Sequence, residues 1–419
     1  MRSRAFVAFA ALIALAAPHV AAAQGDGTTP LHWAAYKDDV AGAAALIKSG
    51  ADVNAANDLG ATPLWLASLN GSTPMARTLL QAGANPNLAL LAGETPLMVA
   101  ARAGSADVVD LLASKGANLN ARAARGQTAL MWAVAQKHAD VVTVLLAHGA
   151  DVHARSEVWS QMMAVPPHGR LEYNRLIPHG GDTALLFAAR AGDLASARLL
   201  VDAGANVNDA DAWRVTAVTL AAHAGFTDVV EFLLDKGASP DSPDADFAAL
   251  HVAVMRRDTR MAAALLTHRA DPNVRLRNWT PTRRSSNDFH FPQHLVGATP
   301  LWLAARFSHP ELMRLLVKHG ADPRFVHEAE YWADGLTAAR RREATTVLMA
   351  AAGMGAAGAP PWVPLTREER EPLMLESVKA AVELGADLDA RNADGRTALD
   401  GAIAAKLEPV VKFLSERSR

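Results

Sequence analysis

Residues 95–120 read TPLMVAARAGSADVVDLLASKGANLN, and this stretch is the unit from which the chain is built. Thr95 is an N-cap residue, and Pro96 occupies the first helical position, where a missing N–H costs no hydrogen bond. Apolar residues at helical spacing predict a second helix after Gly104, and Gly116 is suited to end it in a left-handed conformation. Two such short helices leave an apolar face that only a neighbouring unit can cover.

Copies of this unit recur along the chain. The opening motif, T-P-L-x-x-A or a close variant, starts near residues 29, 62, 95, 128, 183, 216, 249, 299, 346 and 397. The first four starts are 33 residues apart, as are 183, 216 and 249. A period of 33 residues with this motif resembles the ankyrin repeat. The resemblance implies an all-α solenoid of about ten helix-turn-helix repeats, whose linking loops form β-hairpin-type fingers.

The N-terminal segment differs from the repeats. Arg2 and Arg4 precede the apolar run FVAFAALIALAA, and three alanines at 21–23 are typical of a cleavage site. The apolar run is shorter than the ~20 residues that a membrane-spanning helix requires. We therefore interpret residues 1–23 as a Sec-type signal peptide cleaved near Ala23. Residues 24–419 are then a single solenoid in the periplasm or outside the cell, with no membrane span after cleavage.

Composition narrows the classes of function. The 41 basic and 43 acidic residues give a net charge of −2, which becomes −4 when Arg2 and Arg4 are removed, so the balance does not favour nucleic-acid binding. The chain contains no cysteine, so an exported form has no disulfide and depends on packing between repeats.

The period breaks at four insertions, near residues 155–182, 274–298, 323–345 and 353–376. The first three lengthen loops between repeats, whereas the fourth separates the two helices of its own repeat. Insertions in repeat proteins usually map to a binding face, and Trp, Tyr and Arg dominate binding hot spots. The candidate partner-binding residues in these insertions are Trp159, Tyr173, Trp279, Arg283, Arg284, Tyr331 and Trp332. The alternative is that these aromatic side chains serve local packing.

Two further sets of candidates lie on the repeats themselves. Trp213 is expected to be exposed at the tip of an unextended finger. A basic stripe is expected seven residues after five of the repeat starts, formed by Arg102, Arg190, His223, Arg256 and Arg306. A cation at a helix C-terminus is also favoured by the helix dipole, by ~0.3–1 kcal/mol, so the stripe has a purely structural alternative.

No motif predicts chemistry. Residues 353–358 match G-x-G-x-x-G but follow a repeat helix rather than a strand, so no dinucleotide cofactor is expected. His290 and His294 have metal-ligand spacing, but Pro292 lies between them and no third ligand is evident, so no metal is expected. We therefore predict that the chain is not an enzyme and has no catalytic residues.

Three classes of function stay open. The first is a monomeric scaffold that binds a protein partner of the same compartment, with an acidic surface, through its groove and fingers. The second is a binder of a small ligand or envelope polymer, using aromatic fingers as a stacking platform. The third is an enzyme built in the insertions, with groups such as His168, His179, His290 and Glu330. Fold alone does not decide between them.

Overall fold

The computed structural model describes residues 25–163, 174–242, 245–280, 290–332, 340–355 and 362–417. The chain divides into two compact units, and the boundary falls in the sequence between Asn118 and Leu119. The described part of the first unit contains three helix pairs: α1 (Pro30–Tyr36) with α2 (Val40–Lys48), α3 (Pro63–Leu69) with α4 (Thr73–Gln81), and α5 (Pro96–Ala103) with α6 (Ala106–Ser114).

The second unit contains seven helix pairs within its described residues. They are α7 (Ala129–Ala135) with α8 (Ala139–Ala147), α9 (Ala184–Ala191) with α10 (Leu194–Asp202), α11 (Ala217–Ala224) with α12 (Thr227–Asp235), α13 (Ala249–Met255) with α14 (Thr259–Thr267), α15 (Pro300–Arg306) with α16 (Pro310–Lys318), α17 (Val347–Ala351) with α18 (Arg367–Glu383), and α19 (Ala398–Ala404) with α20 (Glu408–Ser415). In each unit, first helices contact first helices and second helices contact second helices. This arrangement confirms the predicted repeat solenoid.

Two insertions form antiparallel hairpins. The first hairpin joins β1 (Trp159–Met163) to β2 (Arg175–His179), and the second joins β3 (Val326–Trp332) to β4 (Arg340–Thr346). The insertion near 274–298 differs: its described residues hold a 3-10 turn at Gln293–Leu295 and no strand. The last residues of the fourth insertion are helical, because Thr366 caps α18 and the helix starts at Arg367.

Threonine precedes the first helix of every described repeat except that of α13, where Ala248 stands, and it explains why most first helices begin where they do. The hydroxyl of Thr62 accepts the N–H of Trp65 at 3.1 Å, and the hydroxyl of Thr95 accepts that of Met98 at 3.3 Å. Each bond satisfies one of the N–H groups that a helix N-terminus leaves without a partner. The leucine two residues after these threonines, Leu64 and Leu97, is 1% exposed in both repeats, so the motif encodes cap and core together.

Asparagine side chains connect successive repeats outside the helices. In the first unit the side chain of Asn87 accepts the N–H of Asn118 at 2.7 Å and donates to the carbonyl of Gly116 at 3.0 Å. In the second unit Asn273 makes the equivalent bonds to Asp322 and Gly320, at 2.8 and 2.9 Å. In both cases the asparagine bonds to backbone groups that follow the second helix of the next repeat. The asparagine therefore fixes the spacing of neighbouring repeats. Among the residues that the model describes, no helix has both the length and the apolarity needed to cross a bilayer.

Candidate partner-binding surface

The hairpin of β1 and β2, here called the first finger, carries an exposed apolar face. Met162 and Leu176 are direct partners across the two strands. Met162 is 57% exposed and Leu176 63%, and Val158, just before β1, is 58% exposed. Side chains alternate between the two faces of a strand, so Met162 and Leu176 share one face while their strand neighbours point the other way. We call Val158, Met162 and Leu176 the finger face.

The base of the first finger is held by hydrogen bonds. The Ser156 N–H donates to the Asp182 carbonyl at 2.9 Å, and the Asp182 N–H donates to the Ser156 hydroxyl at 3.0 Å. The guanidinium of Arg155 donates to the carbonyls of Gly181 and Ala210, both at 2.9 Å. Because Ala210 belongs to the next repeat, these bonds fix the finger base to the repeats.

Trp159 lies on the opposite side of the hairpin from the finger face. Its ring stacks on His179 with centroids 4.6 Å apart, and the guanidinium of Arg125 lies 4.1 Å from its centroid. The Trp159 side chain is therefore partly buried between two protein groups. It anchors the finger to the preceding repeat through a cation–π contact.

The hairpin of β3 and β4, the third finger, is held mainly by polar contacts. The Tyr331 hydroxyl donates to Glu343 Oε1 at 2.8 Å, and burial together with this carboxylate raises the pKa of Tyr331. Arg340 pairs with Glu330 across the strands at 2.8 Å. Trp332, at the end of β3, is 37% exposed, so of the two predicted aromatic candidates it is the accessible one.

The five predicted stripe residues have different environments. In the first unit, Arg102 lies 3.9 Å from Glu94. In the second unit, Arg190 pairs with Asp182 at 2.9 Å, and Arg306 at the end of α15 is partly buried. Nearby carboxylates pair with Arg102 and Arg190, and burial limits the access of solvent to Arg306. The positive charge that these residues offer to a partner is therefore smaller than the sequence predicts.

Arg256 and His223 interact with each other through the end of α11. The guanidinium of Arg256 donates to the carbonyl of His223 at 2.8 Å and to that of Ala224 at 3.4 Å. These carbonyls lie in the last turn of α11, where a cation is favoured by the helix dipole. The stabilisation of a helix C-terminus by a cation therefore explains the position of Arg256 without a partner.

An aromatic cluster covers α11 and α13 of the second unit. Phe291 from the second insertion is 1% exposed, and its ring centroid lies 5.0 Å from that of Trp362 and 5.5 Å from that of Phe247. Trp362, from the fourth insertion, also contacts the ring of His223 at 5.5 Å and donates its indole N–H to the carbonyl of His290 at 3.0 Å. The protein's own insertions therefore cover His223, the central member of the predicted stripe.

The remaining aromatic candidates are less exposed than predicted. Trp213 is partly buried, because its indole N–H donates to Asp246 Oδ2 at 3.0 Å; the prediction that it is freely exposed is wrong. Trp279 is also partly buried. Three of the candidate residues, together with the signal peptide predicted at 1–23, lie outside the described residues: Tyr173, Arg283 and Arg284.

The sequence motifs that could indicate a metal or a dinucleotide site can be compared with the described residues. His294 is predominantly neutral at pH 7, because burial and the nearby cation of Arg306 lower its pKa to about 4. No group of three His, Asp or Glu side chains within the described ranges is placed to hold a metal ion. Gly353 comes two residues after the end of the helix α17 rather than after a strand, so the strand that a dinucleotide site requires before its glycines is not found there among the described residues.

Models of a known repeat family match most of this sequence. One, described as ankyrin repeats in three copies, matches residues 7–89, 83–156, 168–244 and 185–276. Another, described as an ankyrin repeat, matches residues 296–327. This chain belongs to the ankyrin repeat family. Two helix pairs beyond the last matched residue, α17 with α18 and α19 with α20, show that ankyrin-type helix pairing continues to residue 415.

A solved structure gives a further comparison for this ankyrin repeat protein. The crystal structure of the human ASB11 ankyrin repeat domain is 26% identical in sequence, with a TM-score of 0.47. The similarity covers 58% of this chain and 100% of that one.

None of the three residues of the finger face is among the predicted partner-binding residues. The prediction selected aromatic and arginine side chains, and so passed over Val158, Met162 and Leu176. In β1 the residues alternate between half-buried and exposed positions, whereas those of β2 do not. The sequence of β1, WSQMM, does not alternate between apolar and polar residues, so only the structure shows that Trp159 and Met162 face opposite ways.

Proposed function

We propose that this ankyrin repeat protein is an exported scaffold that binds a protein partner through the finger face. Ankyrin repeats generally mediate protein–protein interactions, and as a family are typically not enzymes. The observation that carries the proposal is the cross-strand pair of Met162 and Leu176, both more than half exposed on one face of a hairpin. Exposed apolar groups that lie together on a surface mark interaction sites more often than isolated ones do.

Preorganisation supports this assignment. The finger is held at its base by Ser156 and Asp182 and at its side by Trp159. A partner therefore meets a face that is already formed, which lowers the conformational entropy lost on binding. Arg175, next to Leu176 on β2, is exposed and suits a partner whose rim is acidic. We propose further that the protein binds this partner as a monomer.

The two other classes of function have weaker support. A stacking platform needs several exposed rings, but Trp159 and Trp213 each contact protein groups, and Trp332 is the accessible aromatic candidate on the third finger. An enzyme in the insertions needs converging titratable groups, and two of the groups the sequence nominated are held elsewhere. His179 is stacked under Trp159, and Glu330 is paired with Arg340.

The finger face can be tested by a double substitution, Met162→Asp with Leu176→Asp. The partner is first captured from envelope extract by residues 24–419, identified by mass spectrometry, and purified. We expect the double variant to bind the purified partner about 100-fold more weakly by calorimetry. This corresponds to the loss of about 3 kcal/mol of apolar burial from two side chains.

The matched control is Ile403→Asp on α19, whose side chain is 55% exposed and lies outside both fingers. This variant should bind like the wild-type chain. Equal affinities of the double variant and the wild-type chain would refute the finger face as the binding site. Circular dichroism of both variants checks that the helices are retained.

Export is tested by N-terminal sequencing. When the full chain is expressed in a bacterium, we expect the extracytoplasmic product to begin at Gln24, because residues 1–23 carry the three-part signal pattern. Replacing Leu12 and Leu15 with Arg should keep the uncleaved chain in the cytoplasm, since the apolar run is lost. A cytoplasmic wild-type chain that still begins at Met1 or Arg2 would contradict the proposal.

A further inference from the structure

The second unit contains a basic depression of about 400 Å³ that is separate from the finger face. Its walls come from the end of α15, the start of α18 and the turn between α19 and α20. With Gly353, which follows α17, four separate segments of the chain line the depression. A volume of this size is within the range of small-molecule sites.

Cations outnumber carboxylates around this depression. Arg306, Arg367, Arg370 and Lys406 all line it. Among the lining residues the carboxylate is Glu371, which pairs with Arg367. A second carboxylate, Glu343, interacts electrostatically with Arg306 and partly offsets the lowering of the Arg306 pKa by burial. Four cations against two carboxylates leave a surplus of two positive charges.

Local forces oppose this arrangement of cations. Arg367 and Arg370 lie in or next to the first turn of α18, where the helix dipole disfavours positive charge. Arg306 is partly buried, and both burial and the charge of Arg370 lower its pKa. Like charges that are brought together by segments distant in sequence are stabilised when an anion lies between them.

We propose that this depression binds the phosphate group of a small molecule. A phosphate carries a charge close to −2 at pH 7, which matches the surplus of two positive charges. The guanidinium forks of Arg306 and Arg370 suit the geometry of phosphate oxygens, to which arginine donates paired hydrogen bonds. Lys406 supplies a point charge from the turn between α19 and α20. The site is independent of the protein partner proposed for the finger face.

The test is calorimetric titration of the full chain with inorganic phosphate at constant ionic strength. We expect one phosphate per chain, and binding about tenfold weaker in Arg370→Gln and in Lys406→Gln, because each loses one charge-assisted contact. The control is Arg314→Gln, an exposed arginine of α16 that pairs with Glu383 away from the depression. This control should bind phosphate like the wild-type chain.

Several outcomes would overturn the proposal. One such outcome is the absence of any heat of binding when phosphate is added to the wild-type chain. Another is an affinity for phosphate that is unchanged in both Arg370→Gln and Lys406→Gln. Acetate that binds as tightly as phosphate would show that the site does not select a doubly charged anion. A last experiment measures the cosedimentation of the full chain with vesicles of phosphatidylglycerol. Cosedimentation that Arg370→Gln abolishes, without binding of soluble phosphate, would assign the depression to a membrane surface rather than to a small molecule.

Discussion

Phe291→Ala should lower the free energy of unfolding of the second unit by about 3–5 kcal/mol, the usual effect of removing a buried phenyl ring from a core. Phe291 is 1% exposed and contacts Trp362, Phe247 and His251. Its removal leaves a cavity where the second and fourth insertions meet the repeats. Urea unfolding followed by tryptophan fluorescence measures the loss, and Trp362 reports on the cluster directly.

A matched phenylalanine separates this effect from a general one. Phe325 is partly buried, and its ring lies 5.3 Å from the guanidinium of Arg275. Phe325→Ala removes the same atoms from a site outside the cluster, so we expect a loss of only about 1 kcal/mol. Equal losses for Phe291→Ala and Phe325→Ala would show that the second and fourth insertions are not part of the core. Faster hydrogen exchange at residues 290–295 in Phe291→Ala, but not in Phe325→Ala, would support a core that includes the two insertions.

Acidification from pH 7 to about 4 should destabilise the second unit strongly, because several of its histidines are buried in the neutral form. His251 is fully buried, its Nδ1 accepts the Ala248 N–H at 3.1 Å, and its Nε2 donates to the Val274 carbonyl at 3.1 Å. Burial lowers the pKa of His251 to about 4. Burial and the neighbouring Arg257 lower that of His309 to about 3.

The direction of the pH effect follows from proton linkage. An unfolded histidine has a pKa of about 6.5, so between pH 6.5 and 4 the unfolded chain binds more protons than the folded chain. The stability is fully present above pH 6.5 and falls as the pH drops towards 4, by about 3 kcal/mol for His251. Asp211 and Asp241, whose pKa values burial raises, act in the opposite direction.

The variant His251→Gln isolates this contribution. It should be less stable than the wild-type chain at pH 7, because the ring bridges Ala248 and Val274. Its urea midpoint should, however, fall less steeply between pH 6.5 and 4, since one buried titrating group is gone. His148→Gln, at an exposed position, serves as the control and should keep the wild-type pH dependence. Parallel pH profiles for His251→Gln and the wild-type chain would contradict the linkage.

The helix pairs were predictable because their signals are local. A threonine cap, a proline, alanine or valine at the first helical position and a leucine or valine after it occur within one turn, so nearly every repeat carries its own local signals; the repeat of α13, with Ala248 at the cap, is the exception. Thr62 and Thr95 cap their helices as the motif requires, and Leu64 and Leu97 are buried as it implies. Two tryptophans show where this reasoning stops. Trp159 and Trp213 are of the residue type expected at an interface, but each contacts a group brought close by the fold.

The sequence by itself determined the repeat family, the number and position of the helix pairs, and the places where insertions interrupt the period. Periodicity and capping act between residues a few positions apart, so a single chain is enough to identify them. Only the tertiary structure decided which insertion side chains face solvent. Phe291 and Trp362 are 71 positions apart, yet they pack into one cluster over His223 and leave Met162 and Leu176 exposed elsewhere. Burial depends on contacts between distant segments, and residue type alone does not specify which segments meet.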